Sequence, residues 1–250
     1  MLKKLSAVLL LWVTCVGYSG AVSAEATMTV LVTGANRGIG LELARQLKAE
    51  GHEVIGTARN PQTATELKET GARVVKLDVV DSESVQAMAA ELKGQKIDLL
   101  INNAGMLGHS AQSFADTDFD ELIATFDVNS LGPMRVTQAL LPNILAGKGK
   151  TIVQISSTMG SIANNGGGYY GYRASKSALN MLNKSLALEL ADMGITSVVL
   201  HPGWVQTRLG GAGAAITPKE SVSGMLVVIA DLSPKDTGRF LDYKGEELPW

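Results

Sequence analysis

From residue 28 onward, short apolar runs alternate with longer stretches whose apolar positions recur every three or four residues. The first run, Met28–Val32, leads through a glycine-rich turn into a helical pattern from Gly38 to Glu50. A second run follows at Glu53–Thr57, which predicts a βαβ unit. The alternation continues with strands expected at 73–77, 98–101, 151–156 and 196–201. Helices are expected at 82–93, as one long element over 119–145, and around Tyr172 and Lys176. Leu99-Leu100-Ile101 and Thr151-Ile152-Val153-Gln154-Ile155 are almost continuously apolar, as strands covered on both faces must be. The pattern predicts an α/β fold: one Rossmann-type, doubly wound parallel sheet with helices on both faces, in a single domain spanning 28–250. Gly147-Lys148-Gly149 reads as a helix stop, and Asn164 to Gly168 as a loop just before the Tyr172 helix.

Residues 1–24 differ in kind. Lys3 and Lys4 precede an apolar stretch around Ala7 to Val16, and Val22-Ser23-Ala24 offers small residues suited to cleavage, so a secretory signal peptide is expected. A retained anchor and a translation start at Met28 are the alternatives; the first two readings imply export, the last a cytoplasmic protein. The leader lacks the twin arginines of folded-protein export. Removing it with Lys3 and Lys4 leaves 20 basic against 24 acidic residues and no cysteine, since Cys15 is the only one. Charge this balanced, without long runs of one sign, argues against a nucleic-acid partner. Three scattered histidines, His52, His109 and His201, make no familiar zinc pattern, so no metal is expected. His109 reads as a solvent-facing loop residue.

The turn after the first strand reads Thr33-Gly34-Ala35-Asn36-Arg37-Gly38-Ile39-Gly40. Glycines between a strand and a helix permit a tight turn and let a pyrophosphate approach backbone N–H groups and the positive helix end. The second strand ends at Thr57-Ala58-Arg59, where a cofactor with a free 2′-hydroxyl usually meets an acid, and no acid occurs before Glu66. Arg59, with Arg37 in the loop, suits a 2′-phosphate instead. The expected cofactor is therefore NADP(H) in preference to NAD(H).

Tyr172 and Lys176 are four residues apart, one above the other on a helix face. An ammonium beside a phenol favours the ionised form, which predicts a Tyr able to pass a proton near neutral pH. Joined to the glycine loop, the pair points to hydride transfer.

With Asn102-Asn103-Ala104-Gly105 after the fourth strand and Pro202-Gly203-Trp204-Val205-Gln206-Thr207 after the sixth, the chain resembles the short-chain dehydrogenase/reductase family over essentially everything from Met28 onward. Tyr169 to Asn180 and the ending Gly238 to Trp250 look closest to its carbonyl-reductase and C-factor-like branch. The resemblance implies catalytic roles for four residues. Tyr172 is the proton donor, Lys176 the group that lowers its pKa and holds the nicotinamide ribose, Ser157 the polariser of the carbonyl, and Asn129 the seat of a water. It also implies that Asn103, Ala104 and Gly105 line the adenosine side, Asp78 and Val79 lie at the adenine, and Pro202, Gly203, Val205 and Thr207 hold the nicotinamide. Ser156 competes with Ser157, but a continuing strand pleat turns it to the opposite side. The short stretch from Thr207 to Pro218, rich in Gly and Ala, implies a small mobile lid and a permissive site. Trp204 borders the nicotinamide pocket or packs in the core. The expected partners are a small carbonyl or alcohol substrate and further copies of the chain, as a homodimer or homotetramer. The competing class is a dinucleotide-binding sensor that keeps the fold without turnover. Too little chain follows the sixth strand for the substrate domain of sugar-nucleotide epimerases.

Overall fold

The computed structural model describes residues 27–108 and 113–250. The leader and His109 lie outside the described residues. Seven parallel strands form one sheet: β1 (Thr29–Val32), β2 (Glu53–Ala58), β3 (Arg73–Lys76), β4 (Leu99–Asn102), β5 (Thr151–Ile155), β6 (Thr196–His201) and β7 (Phe240–Asp242), in the order β3-β2-β1-β4-β5-β6-β7. The connecting helices are α1 (Gly38–Ala49), α2 (Thr65–Glu69), α3 (Ser82–Glu91), α4 (Phe119–Phe126), α5 (Gly132–Ala146), α6 (Tyr170–Leu190) and α7 (Pro218–Ala230).

The apolar strands work on both faces, as their composition requires. Val30, Val32, Leu99, Ile101 and Val153 belong to one buried cluster, with α1 and α7 packed over it. Leu31, Leu100 and Ile152 belong to the other, under α3 and α5. Alternation along each strand thus divides one sheet between two cores.

Three elements differ from the sequence expectation. The single helix over 119–145 is broken by a π segment, Asp127–Leu131, between α4 and α5. Pro133 supplies the reason: it has no N–H to give the carbonyl of Asn129, four residues earlier, and its ring crowds that carbonyl. The seventh strand is only three residues long, too short to show a period. The helix α7 begins at a legible signal: Thr217 caps Glu220 N while the Glu220 carboxylate accepts from Thr217 N at 2.8 Å, a capping box.

The sheet order reverses direction at β1 and β4. Val32 lies level with Gly56 of β2 on one side and Ile101 of β4 on the other. The crevice above the carboxyl ends of these strands is where open α/β sheets bind ligands.

Candidate active site

Two chain segments meet at that crevice. Thr33 Oγ1 accepts hydrogen bonds from Asn103 N and Ala104 N, both at 3.0 Å, which ties the end of β1 to the end of β4. The Asn103 amide donates to the Thr33 and Gly34 carbonyls at 2.9 and 3.2 Å. Its side chain therefore braces the glycine turn, and the surface it offers to an adenosine is backbone. A β-carbon on Gly40 would lie 2.5 Å from both Asn103 Nδ2 and Gly34 O, so only glycine lets α1 settle on this turn.

The first turn of α1 contains no acid, and its N-cap, Arg37, makes no side-chain capping bond. By contrast Asp81, Asp118 and Thr217 cap α3, α4 and α7. The N-terminus of α1 thus presents its N–H groups and positive dipole end toward the crevice. These features fit a dinucleotide pyrophosphate. Around them stand exposed arginines: Arg37, Arg59 beyond the end of β2, and Arg208 beyond β6, which the sequence reading passed over. Burial, then Arg208, then Arg59 hold the Arg37 guanidinium below its ordinary pKa.

Asp78 and Val79 follow β3 as expected. The Asp78 carboxylate accepts from Val80 N at 3.3 Å, and the buried Val79 packs where Gly132 opens α5. Pro202 and Val205 are buried, with the loop base closed by Gln206 N to Ile216 O at 2.9 Å and Ile216 N to Trp204 O at 3.1 Å. The Gln206 amide reaches Ala214 O at 3.0 Å and Trp204 Nε1 reaches Gly210 O at 2.9 Å. The short lid is therefore knit by its own hydrogen bonds. Trp204 is 59% exposed, which rules out core packing.

The catalytic candidates converge from three elements. Ser156 donates to Asn180 Oδ1 at 2.7 Å inside the core, whereas Ser157 turns to the other side and opposes the Tyr172 phenol. The loop after β5 comes close to α6 because Gly160 has no side chain; a β-carbon there would stand 2.8 Å from the Lys176 backbone. Lys176 is buried and donates from Nζ to Ile155 O at 2.8 Å, with Nζ 5.9 Å from the centre of the Tyr172 ring. A β-carbon on Gly105 would lie 3.2 Å from Asn129 Oδ1 and 3.8 Å from Lys176 Nζ, so the β4 turn closes the same small space.

One expectation needs revision. Tyr172 is not acidified: burial pushes its phenol up to about 12, and only the Ser157 hydroxyl opposes this. Burial also brings Lys176 down to about 8, and its ammonium donates to the Ile155 carbonyl. Both shifts are costs of placing a charge in low dielectric. The Asn129 side chain, in turn, is already engaged. Its Oδ1 accepts from Met106 N at 2.8 Å, and its Nδ2 donates to Met106 O at 2.8 Å and Ser175 Oγ at 3.0 Å. Ser175 Oγ donates on to Tyr172 O at 2.8 Å. The amide thus fixes the β4 turn to the Tyr172 helix.

Among the described residues, no cluster of metal-ligating side chains occurs, and no helix is long and apolar enough to cross a membrane.

Comparison with known proteins agrees with this architecture. The family model for short chain dehydrogenase matches residues 28–215. The chain is 45% identical to the C-signal protein of Myxococcus xanthus over 167 residues, 66% of this chain and 100% of that one. The crystal structure of NADPH-bound carbonyl reductase from chicken fatty liver superposes with a TM-score of 0.82 at 36% identity, covering 90% of this chain and 99% of that one. Carbonyl reductase Sniffer of Drosophila melanogaster gives a TM-score of 0.85 at 32% identity, over 90% and 100% of the two chains.

Proposed function

Since the chain belongs to the short-chain dehydrogenase family, and is an oxidoreductase of the carbonyl-reductase type, we propose that it uses NADPH to reduce an aldehyde or ketone. The observation that carries this reading is the convergence of the Ser157 hydroxyl, the Tyr172 phenol and the Lys176 ammonium beside the turn that follows β4. When bound, the nicotinamide supplies the hydride. The protein's part is the oxygen: Ser157 hydrogen-bonds the carbonyl, and the Tyr172 hydroxyl gives it a proton as negative charge develops. A phenol held at about 12 stays protonated across the neutral range, the form that a reductase needs. Lys176 holds the ribose, and Asn129 seats the water through which the proton is replaced. Loss of NADPH absorbance with a panel of aldehydes and ketones tests the reading.

The preference for NADPH rests on Arg59 and Arg37 and on the lack of an acid at the end of β2; the chicken reductase of similar fold holds NADPH. Arg59→Ala is expected to raise KM for NADPH about tenfold, as loss of a charge-assisted contact would, and to leave KM for NADH unchanged. Equal effects on both remove the assignment.

We also propose that the enzyme assembles through α4 and α6. These helices expose Phe119, Ile123, Met181 and Leu188 at 60%, 64%, 68% and 69%, apolar side chains that a second copy would cover. Light scattering on a sizing column should return a dimer or tetramer at micromolar concentration, and Met181→Glu should shift it toward monomer; a monomeric wild type refutes it.

A second reading, a dinucleotide-binding signalling protein, is favoured by the likeness to C-signal. Tight NADPH binding with no turnover across the panel would move it ahead.

A further inference from the structure

Arg208 belongs to no motif used so far. It follows Thr207 in a turn folded by Gly210 N on Thr207 Oγ1 at 3.2 Å and Gly211 N on Thr207 O at 2.8 Å. That turn lies against the start of α1, since a β-carbon on Gly38 would sit 3.4 Å from Thr207 Cγ2. Arg208 is thereby brought within electrostatic reach of Arg37, on which it acts more strongly than Arg59 does. All three guanidinium groups are exposed, and among the described residues none of them pairs with a carboxylate. Cations gathered at a helix N-terminus that has no acid in its first turn repel one another. A multiply charged anion turns that repulsion into attraction.

We propose that Arg208 binds the dinucleotide pyrophosphate from the lid side, fastening the loop between Trp204 and Ile216 over the glycine turn. This rests on the dinucleotide reading given above. It divides the work among the arginines. Arg59 stands at the end of β2, where the adenosine ribose lies in such folds, and so serves NADPH alone. Arg208 stands at the α1 N-terminus, where the pyrophosphate lies, and so serves NADPH and NADH alike.

The test is a titration of NADPH and NADH into the full chain, comparing the wild type with Arg208→Ala, Arg208→Gln, Arg208→Lys and Arg59→Ala by fluorescence. Both neutral variants should weaken the two cofactors by the same factor, about tenfold for one charge-assisted contact. Arg208→Lys should recover most of it, and added salt should narrow the gap. Arg208→Gln keeps most of the side chain's aliphatic stem and a polar end without the charge, so agreement between it and the alanine variant separates lost charge from lost packing. Unchanged binding of both cofactors overturns the proposal, and so does weakening confined to NADPH, which would place Arg208 on the 2′-phosphate. A wild type that binds neither dinucleotide defeats the underlying reading, and this inference with it.

Discussion

Tyr172→Phe should leave NADPH binding unchanged and lower kcat by about a thousandfold, the range over which a positioned general acid acts. The ring is buried and its packing is kept by phenylalanine; what is lost is the one hydroxyl that Ser157 opposes. The pH dependence has a definite sign. Because burial raises the phenol to about 12, Tyr172 is protonated throughout the neutral range, so carbonyl reduction should not decline there on its account. Alcohol oxidation needs the phenolate and should rise with pH toward that value. Steady-state rates in both directions, with cofactor affinity measured separately, check this. A variant that keeps wild-type turnover would remove Tyr172 from the chemistry.

Gly40→Ala is expected to be nearly as damaging, by a different route. The added methyl would lie 2.5 Å from Gly34 O and from Asn103 Nδ2, and 3.0 Å from Ala35 Cα. Two of these neighbours are backbone that cannot swing aside, and the third is the amide that braces the turn. The helix must therefore lift, costing about 2 kcal/mol of stability as overpacking does. Its N–H groups then leave the pyrophosphate, and with hydrogen bonds to charged groups worth about 1.5–3 kcal/mol, affinity should fall about a hundredfold for NADPH and NADH equally. Thermal melts with cofactor titrations measure both; an alanine variant with wild-type affinity contradicts the cradle.

Much of this was legible in the chain. The apolar runs at Leu99–Ile101 and 151–155 announced strands buried on both faces, and they lie at the middle of the sheet. The glycine turn, Asn103 and Ser157 fall at one edge, because in a parallel sheet every strand delivers its following residue to the same end, and α6 brings Lys176 to that edge, where Nζ reaches Ile155 O. What was not legible depends on the third dimension. A spacing of four puts Lys176 beside Tyr172, but only burial decides that the phenol goes up and the ammonium goes down. The π segment was written in Pro133, four residues after Asn129, and was hidden by an otherwise unbroken helical period. Asn129 as the clamp on Met106, and Arg208 as a neighbour of Arg37, join residues far apart in sequence, which no local pattern reports.

The most direct measurement is the fate of the hydride. With NADPH carrying deuterium at the transferable position and an aldehyde or ketone that the enzyme turns over, mass spectrometry should find one deuterium on the carbinol carbon of the product, formed about a thousandfold more slowly by Tyr172→Phe. Product alcohol without deuterium, or NADPH bound and never consumed across the carbonyl panel, would contradict the assignment of this site to carbonyl reduction.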